Sequence, residues 1–155
     1  MIAKINEIKI SSIINMSKTF KTLLELGQTA ETEAIKRIEL LNKTRCIKRQ
    51  DETNYKIMHH DFQTDDNFKY EVKLDISSSK TGNAFIEFKD GKGRQSGINI
   101  SDANYYIIIS NDIYHMIEIE ALKTLIKGCK IARAKDGTKG YLLKIYILEK
   151  HSIKL

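Results

Sequence analysis

After residue 55 the chain falls repeatedly into short runs rich in Ile, Tyr, Phe and Val, each followed by turn-forming residues, and this rhythm restricts it to a sheet-building fold. Two strands are expected at about 56–63 and 68–76, joined by the turn "TDDN". The turn "SSSKTGN" leads into a strand "AFIEFK", and "YYIIIS" and "YHMIEI" flank Asn111 and Asp112. A last strand, "YLLKIYIL", closes the series. Upstream, Ser17–Leu26 and Thr29–Asn42 read as two helices, the second with Ala34, Ile35, Ile38 and Leu41 along one face. "TRCIKR" reads as a short strand, and Glu120 to Lys127 as a short helix ended by Gly128. A helix pair, a run of strands and a further helix imply an α/β (α+β) fold, a central mixed sheet flanked by helices.

No repeat, low-complexity block or Gly/Ser linker divides the 155 residues, so residues 1–155 read as a single domain. Ile8, Ile10, Ile13 and Ile14 fit neither helical nor strand period, and residues 1–16 are set apart as an N-terminal extension. No apolar run approaches the roughly 20 residues needed to cross a bilayer, and no signal-peptide pattern opens the chain. Cys46 and Cys129 have no metal-binding spacing and are read as free thiols of a reducing, cytoplasmic compartment, which argues against thiolate zinc. With 26 Lys and Arg against 20 Asp and Glu, the net charge of +6 points toward a polyanion such as nucleic acid. Composition alone is a soft guide, because many Ile, Lys and Asn residues and no Pro also follow from an AT-rich coding sequence.

The stretch "MHHDFQTDDNFKYEVKLD" carries more chemistry than a hairpin requires. If the chain turns at Asp65-Asp66-Asn67, Asp61 lands opposite Glu71, where paired Cβ atoms are roughly 5 Å apart and like charges repel. Tyr70, Val72, Leu74 and Ile76 would then face a core, with Glu71, Lys73 and Asp75 on the other surface. A hard divalent cation relieves two facing carboxylates, and Mg²⁺ needs only one or two from the protein. A lysine two residues after Glu71 shares its face and can hold a phosphate or polarise an attacking water. The spacing is equally that of solvated charges on an exposed hairpin, since Glu-x-Lys is common in a Lys-rich chain. A second copy, Glu87-Phe88-Lys89 with Asp75 before it, obeys the same hairpin logic, and periodicity does not choose between the two sets.

The run "YEVKLDISSSKTGNAFIEFKDGKGRQSGINISDANYYIII" resembles the PD-(D/E)xK nuclease superfamily, with its restriction-endonuclease-like fold, and is similar to small nuclease-like proteins of bacteriophage-related genomes. The resemblance covers roughly residues 58–110. It implies that Asp61 and Glu71 are metal ligands, that the Val72 carbonyl is a further ligand, and that Lys73 is the catalytic lysine. It also favours Glu71-Val72-Lys73 over the second copy. Members of the superfamily often carry a glutamate on the helix before the sheet; Glu31 suits that role better than Glu33, because it shares the face of Ile35 and Ile38. His60 stands where the motif has proline. The activity implied is Mg²⁺- or Mn²⁺-dependent endonucleolytic cleavage of DNA, with a junction-resolving variant and a homodimer left open. The alternative is a nuclease-like fold that only binds nucleic acid or serves assembly.

His59 and His60 are adjacent and point to opposite faces, so they do not chelate one metal together. Lys80, Lys92 and Arg94 flank the expected site, the last two in a mobile basic loop, "DGKGRQSG". Lys127, Lys130, Arg133, Lys135 and Lys139 form a richer cluster suited to backbone contacts, with Lys130 and Arg133 among its candidates. Tyr105, Tyr106 and Tyr141 read as core rather than as stacking platforms, given their β-branched neighbours.

Overall fold

The computed structural model describes residues 20–49 and 59–155. The expected extension at 1–16, the first residues of the first helix and the start of the strand at 56–58 lie outside that range.

Helix α1 (Phe20–Asn42) is continuous where two helices were expected. Gly27 weakens a helix by about 1 kcal/mol relative to Ala without ending it. The buried stripe of Leu26, Ala30, Ala34 and Ile38 runs straight past it at four-residue spacing. Leu41, assigned to that stripe from the sequence, is exposed.

The strands β1 (Cys46–Arg49), β2 (Phe62–Thr64), β3 (Lys69–Leu74), β5 (Tyr105–Ser110), β6 (Ile113–Glu118) and β9 (Ile153–Lys154) form one mixed sheet in the order β1-β2-β3-β5-β6-β9. The strands β4 (Asn83–Lys89), β8 (Lys139–Lys144) and β7 (Lys130–Arg133) form a second, smaller antiparallel sheet in the order β4-β8-β7. The protein is thus α+β with two sheets, where one was expected.

Helix α1 packs on one face of the large sheet, over Phe62, Tyr70, Ile107, Ile109, Tyr114 and Met116. Arg37 fastens it, with its guanidinium 4.1 Å from the centre of the Tyr114 ring and Nη1 donating to the Leu155 carbonyl at 2.9 Å. The other face, with Tyr106, Ile108 and Ile117, meets Ala84, Ile86 and Phe88 of the small sheet. Helices α3 (Ile119–Ile126) and α4 (Ile145–His151) bury Leu122, Ile126 and Leu148 in the same core.

Three other readings change. "YLLKIYIL" divides into the end of β8 and the start of α4, since periodicity alone does not separate a short buried strand from a short helix. "SSSKTGN" contains a one-turn helix α2 (Ser78–Thr81), ended by Gly82 at φ +69°. "DGKGRQSG" is a turn built on Asp90, which accepts hydrogen bonds from the backbone N–H groups of Lys92 and Arg94 and from Arg94 Nε.

Between β3 and the parallel strand β5 the chain crosses through the small sheet, and Asp75 directs it there. Its Oδ1 accepts from Ser78 N at 3.0 Å and its Oδ2 from Phe85 N at 2.7 Å. Asp75→Ala, which strands both N–H groups, is expected to lower stability by about 2–3 kcal/mol in a denaturant titration.

Candidate active site

The hairpin follows the expected register. Phe62 pairs with Tyr70 and Gln63 with Lys69, and the paired ladder stops there, with Asp61 in a bend just outside β2. Asp61 N donates to the Tyr70 carbonyl at 2.9 Å, one residue out of that register, so Asp61 and Phe62 both face Tyr70 as in a β-bulge, and Asp61 approaches Glu71 through its side chain. At the turn, Asn67 has φ +68° and its N–H donates to the Thr64 carbonyl, while the Thr64 hydroxyl bonds Asp66. Strand β2 does not reach back to His59, whose φ of +51° makes a bend.

That bend is clamped from the loop ahead of β5. The fully buried His60 ring bonds Asp102 through Nδ1 at 2.8 Å, and Asp102 pairs with Lys69 at 3.4 Å. The Ser101 hydroxyl and the Asp102 N–H both donate to the His59 carbonyl. The residue standing in the motif's proline position therefore fixes the backbone before Asp61 by a buried hydrogen bond.

Asp61, Glu71 and Lys73 converge. Glu71 is wholly buried and its Oε1 lies 2.6 Å from Lys73 Nζ, while the Lys73 side chain is 41% exposed. Asp61 Oδ2 accepts from Val72 N at 2.7 Å. Burial pushes the Asp61 carboxyl up to about 8, with the neighbouring Glu71 charge adding to the rise, Lys73 and the Val72 N–H opposing it, and Glu31 adding a little more. Glu31 of α1 thus belongs to the electrostatic neighbourhood of the site, whereas Glu33 pairs with Arg37 at 3.0 Å. The face carrying Glu71 is not the open surface expected from alternation, because the small sheet covers it. A solvated hairpin face does not describe a carboxylate with no exposure.

The second Glu-x-Lys copy does not form the expected hairpin. Strand β4 pairs with β8, in the other sheet, and the Asp75 carboxylate is committed to two backbone N–H groups. Glu87 accepts from Ser96 Oγ at 2.6 Å and lines a cleft together with Lys73, Tyr106 and Arg133. Lys80, Lys92, Arg94 and Lys130 are exposed but do not line it.

Sequence reasoning assigned Tyr106 to the core and missed its place here. It pairs with Glu71 across the parallel β3–β5 ladder, so both side chains leave the sheet on the same face. Burial raises its phenol above the ordinary range, the Glu71 charge raises it further, and Lys73 opposes the rise. Ser101 lies beside the hydroxyl without forming a hydrogen bond of normal geometry. Only the parallel pairing of β3 with β5, which no local pattern announces, could have revealed it.

Two carboxylates held together against burial and mutual repulsion fit a divalent cation, which would replace the proton on Asp61. Among the described residues no group of three or more His, Cys, Asp or Glu side chains forms a ready-made cage. A hydrated Mg²⁺ or Mn²⁺ on one or two carboxylates does not require one. No family model matches the chain, and no curated protein is significantly similar to it.

The Asp61 value near 8 lies above the roughly 4 of an unfolded chain. Between those limits the folded state holds a proton that the unfolded state has released. Asp61's contribution to stability is therefore greatest below about pH 4, falls as pH rises toward 8, and is level beyond it. Asp61→Asn, which keeps an acceptor for the Val72 N–H, is expected to flatten this dependence and raise the metal-free denaturation midpoint at pH 8.

Proposed function

We propose that the protein is a metal-dependent endonuclease that hydrolyses DNA phosphodiester bonds, related to the PD-(D/E)xK nucleases. The single observation that carries this reading is the convergence of Asp61, Glu71 and Lys73, with Glu71 fully buried and ion-paired to a half-exposed lysine. A purely structural hairpin gains nothing from placing two carboxylates side by side out of water.

Asp61 and Glu71, with the Val72 carbonyl between Glu71 and Lys73, would hold Mg²⁺ or Mn²⁺. When bound, such an ion supplies Lewis-acid stabilisation of the phosphate and lowers the pKa of a coordinated water. Lys73 is oriented by Glu71, and its exposed end can meet a phosphate oxygen and offset the charge that builds during substitution. Tyr106, its phenol held neutral, can donate a hydrogen bond to the same group. Glu31 of α1 adds negative potential at Asp61. Beyond the site, the net charge of +6 and the exposed Lys80, Lys92, Arg94, Lys130 and Arg133 suit sequence-independent phosphate contacts that weaken with salt. No helix among the described residues is long and apolar enough to cross a membrane.

With Mg²⁺ or Mn²⁺, the wild-type protein is expected to cut at least one of linear, circular, single-stranded and four-way-branched DNA. Lys73→Ala and Asp61→Asn should each lower the rate by about 100-fold or more while circular dichroism shows a folded chain. Calorimetric titration should show Mn²⁺ binding to wild type that Asp61→Asn weakens. Absence of both binding and cleavage would return the fold to a nucleic-acid-binding or assembly module.

A further inference from the structure

Beside Lys73 lies a cleft of about 500 Å³ lined from both sheets, with Phe85 and Glu87 alternating with the residues that pack on the large sheet. The register of the small sheet decides what lines one side of it. Phe85 pairs with Leu142, Glu87 with Gly140, and Ala132 with Gly140. Directly paired residues of antiparallel strands share a face, so Phe85, Glu87, Leu142 and Ala132 project together. All four line the cleft, joined by Lys73 and Tyr106 from the large sheet and by Arg133.

Gly140 shapes this wall. A Cβ there would fall 2.6 Å from Cζ of Phe85 and within 2.9 Å of both Cε atoms, so the end of the aromatic ring lies over the glycine backbone. Any larger residue would drive the ring away. The polar groups are few and separated. Glu87 gives Oε1 to Ser96, and its Oε2 makes no hydrogen bond among the described residues. Lys73 supplies a cation where the cleft adjoins the carboxylates, and Arg133 supplies another on the small sheet.

An aromatic ring, apolar side walls, one hydrogen-bond acceptor and flanking cations match a single nucleotide: a flat base with an anionic phosphate. We propose that this cleft receives an unstacked nucleobase, with Phe85 as its stacking surface and Glu87 reading its edge, while the attached phosphate lies toward Lys73. The phosphate's position rests on the nuclease reading; the base pocket does not. A base inside an intact duplex is paired and stacked on both sides and does not reach such a pocket without leaving the helix. The substrate class is therefore DNA with a single-stranded or unpaired nucleotide at the cleavage position, such as a junction, a flap or a mismatch. A carboxylate acceptor favours bases with an exocyclic amino group, and repels the carbonyl oxygen that thymine and uracil carry at the same place.

The full chain, labelled with ¹⁵N, is titrated with deoxycytidine and deoxyuridine 5′-monophosphate, which differ in the amino or carbonyl group at C4 and in the proton that uracil carries on N3. Amide shifts should centre on Phe85, Glu87 and Leu142, with the cytidine nucleotide bound about tenfold tighter. Phe85→Leu should weaken both nucleotides by about tenfold, and Glu87→Gln should abolish the preference between them. Shifts centred elsewhere, no saturable binding, or a preference that survives Glu87→Gln would overturn the proposal. Cleavage is assayed in parallel on a perfect duplex and on the same duplex with one unpaired nucleotide. A protein that binds nucleotides here but cuts no DNA loses the nuclease reading and keeps the pocket. One that cuts both duplexes equally and ignores nucleotides keeps the nuclease reading and loses the pocket.

Discussion

The structure turns on the placing of two carboxylates, Asp61 and Glu71, close to each other where little water reaches them. Burial and the neighbouring charge both act against the ionised form of Asp61, and the fold holds the two carboxylates differently. Glu71 is neutralised by Lys73, two residues along the same strand face. Asp61 receives the Val72 N–H and holds its proton well into the neutral range. A group kept protonated near neutral pH by burial, with a neighbouring carboxylate adding to it, can exchange that proton for a cation. The arrangement costs the protein stability that a purely structural hairpin has no need to lose.

Around this pair the rest of the large sheet acts as a holder. The His60–Asp102 bond and the two donors to the His59 carbonyl fix the bend from which Asp61 projects. Parallel pairing with β5 brings Tyr106 beside Glu71, and α1 brings Glu31 near Asp61. The small sheet then closes the face that would otherwise be solvent. Two contacts made by the small sheet itself depend on glycine. A Cβ on Gly97 would fall 2.2 Å from the Glu87 carbonyl oxygen, and Gly97 also has φ +51°; a Cβ on Gly140 would strike Phe85. The cleft lined by Phe85 and Glu87 opens beside Lys73, the half-exposed member of the charged trio.

Much of the site geometry was legible because it is local. "TDDN" supplies the turn chemistry, and a turn at that place leaves the register that pairs Phe62 with Tyr70 and brings Asp61 close to Glu71, although the ladder itself breaks at Asp61. The helical period across 29–42 held for Ala34 and Ile38 but not for the exposed Leu41, and it chose Glu31, whose charge acts on Asp61, over Glu33. It erred at Gly27, where a weak local break lost to an apolar stripe that continued beyond it. The strand-or-helix ambiguity of "YLLKIYIL" was likewise settled by packing, with Leu148 turned into the core from α4.

What the sequence determined by itself was the α+β class, the β2–β3 hairpin and the sharing of one face by Glu71 and Lys73, because turns and strand periodicity act over a few residues. The tertiary structure alone decided that this face is buried, that Glu87 belongs to a separate sheet, and that Tyr106 and Arg133 come to the same cleft as Lys73. Those facts depend on pairings between segments tens of residues apart. A residue's environment there is set by whichever distant strand covers it, and no local pattern encodes that strand.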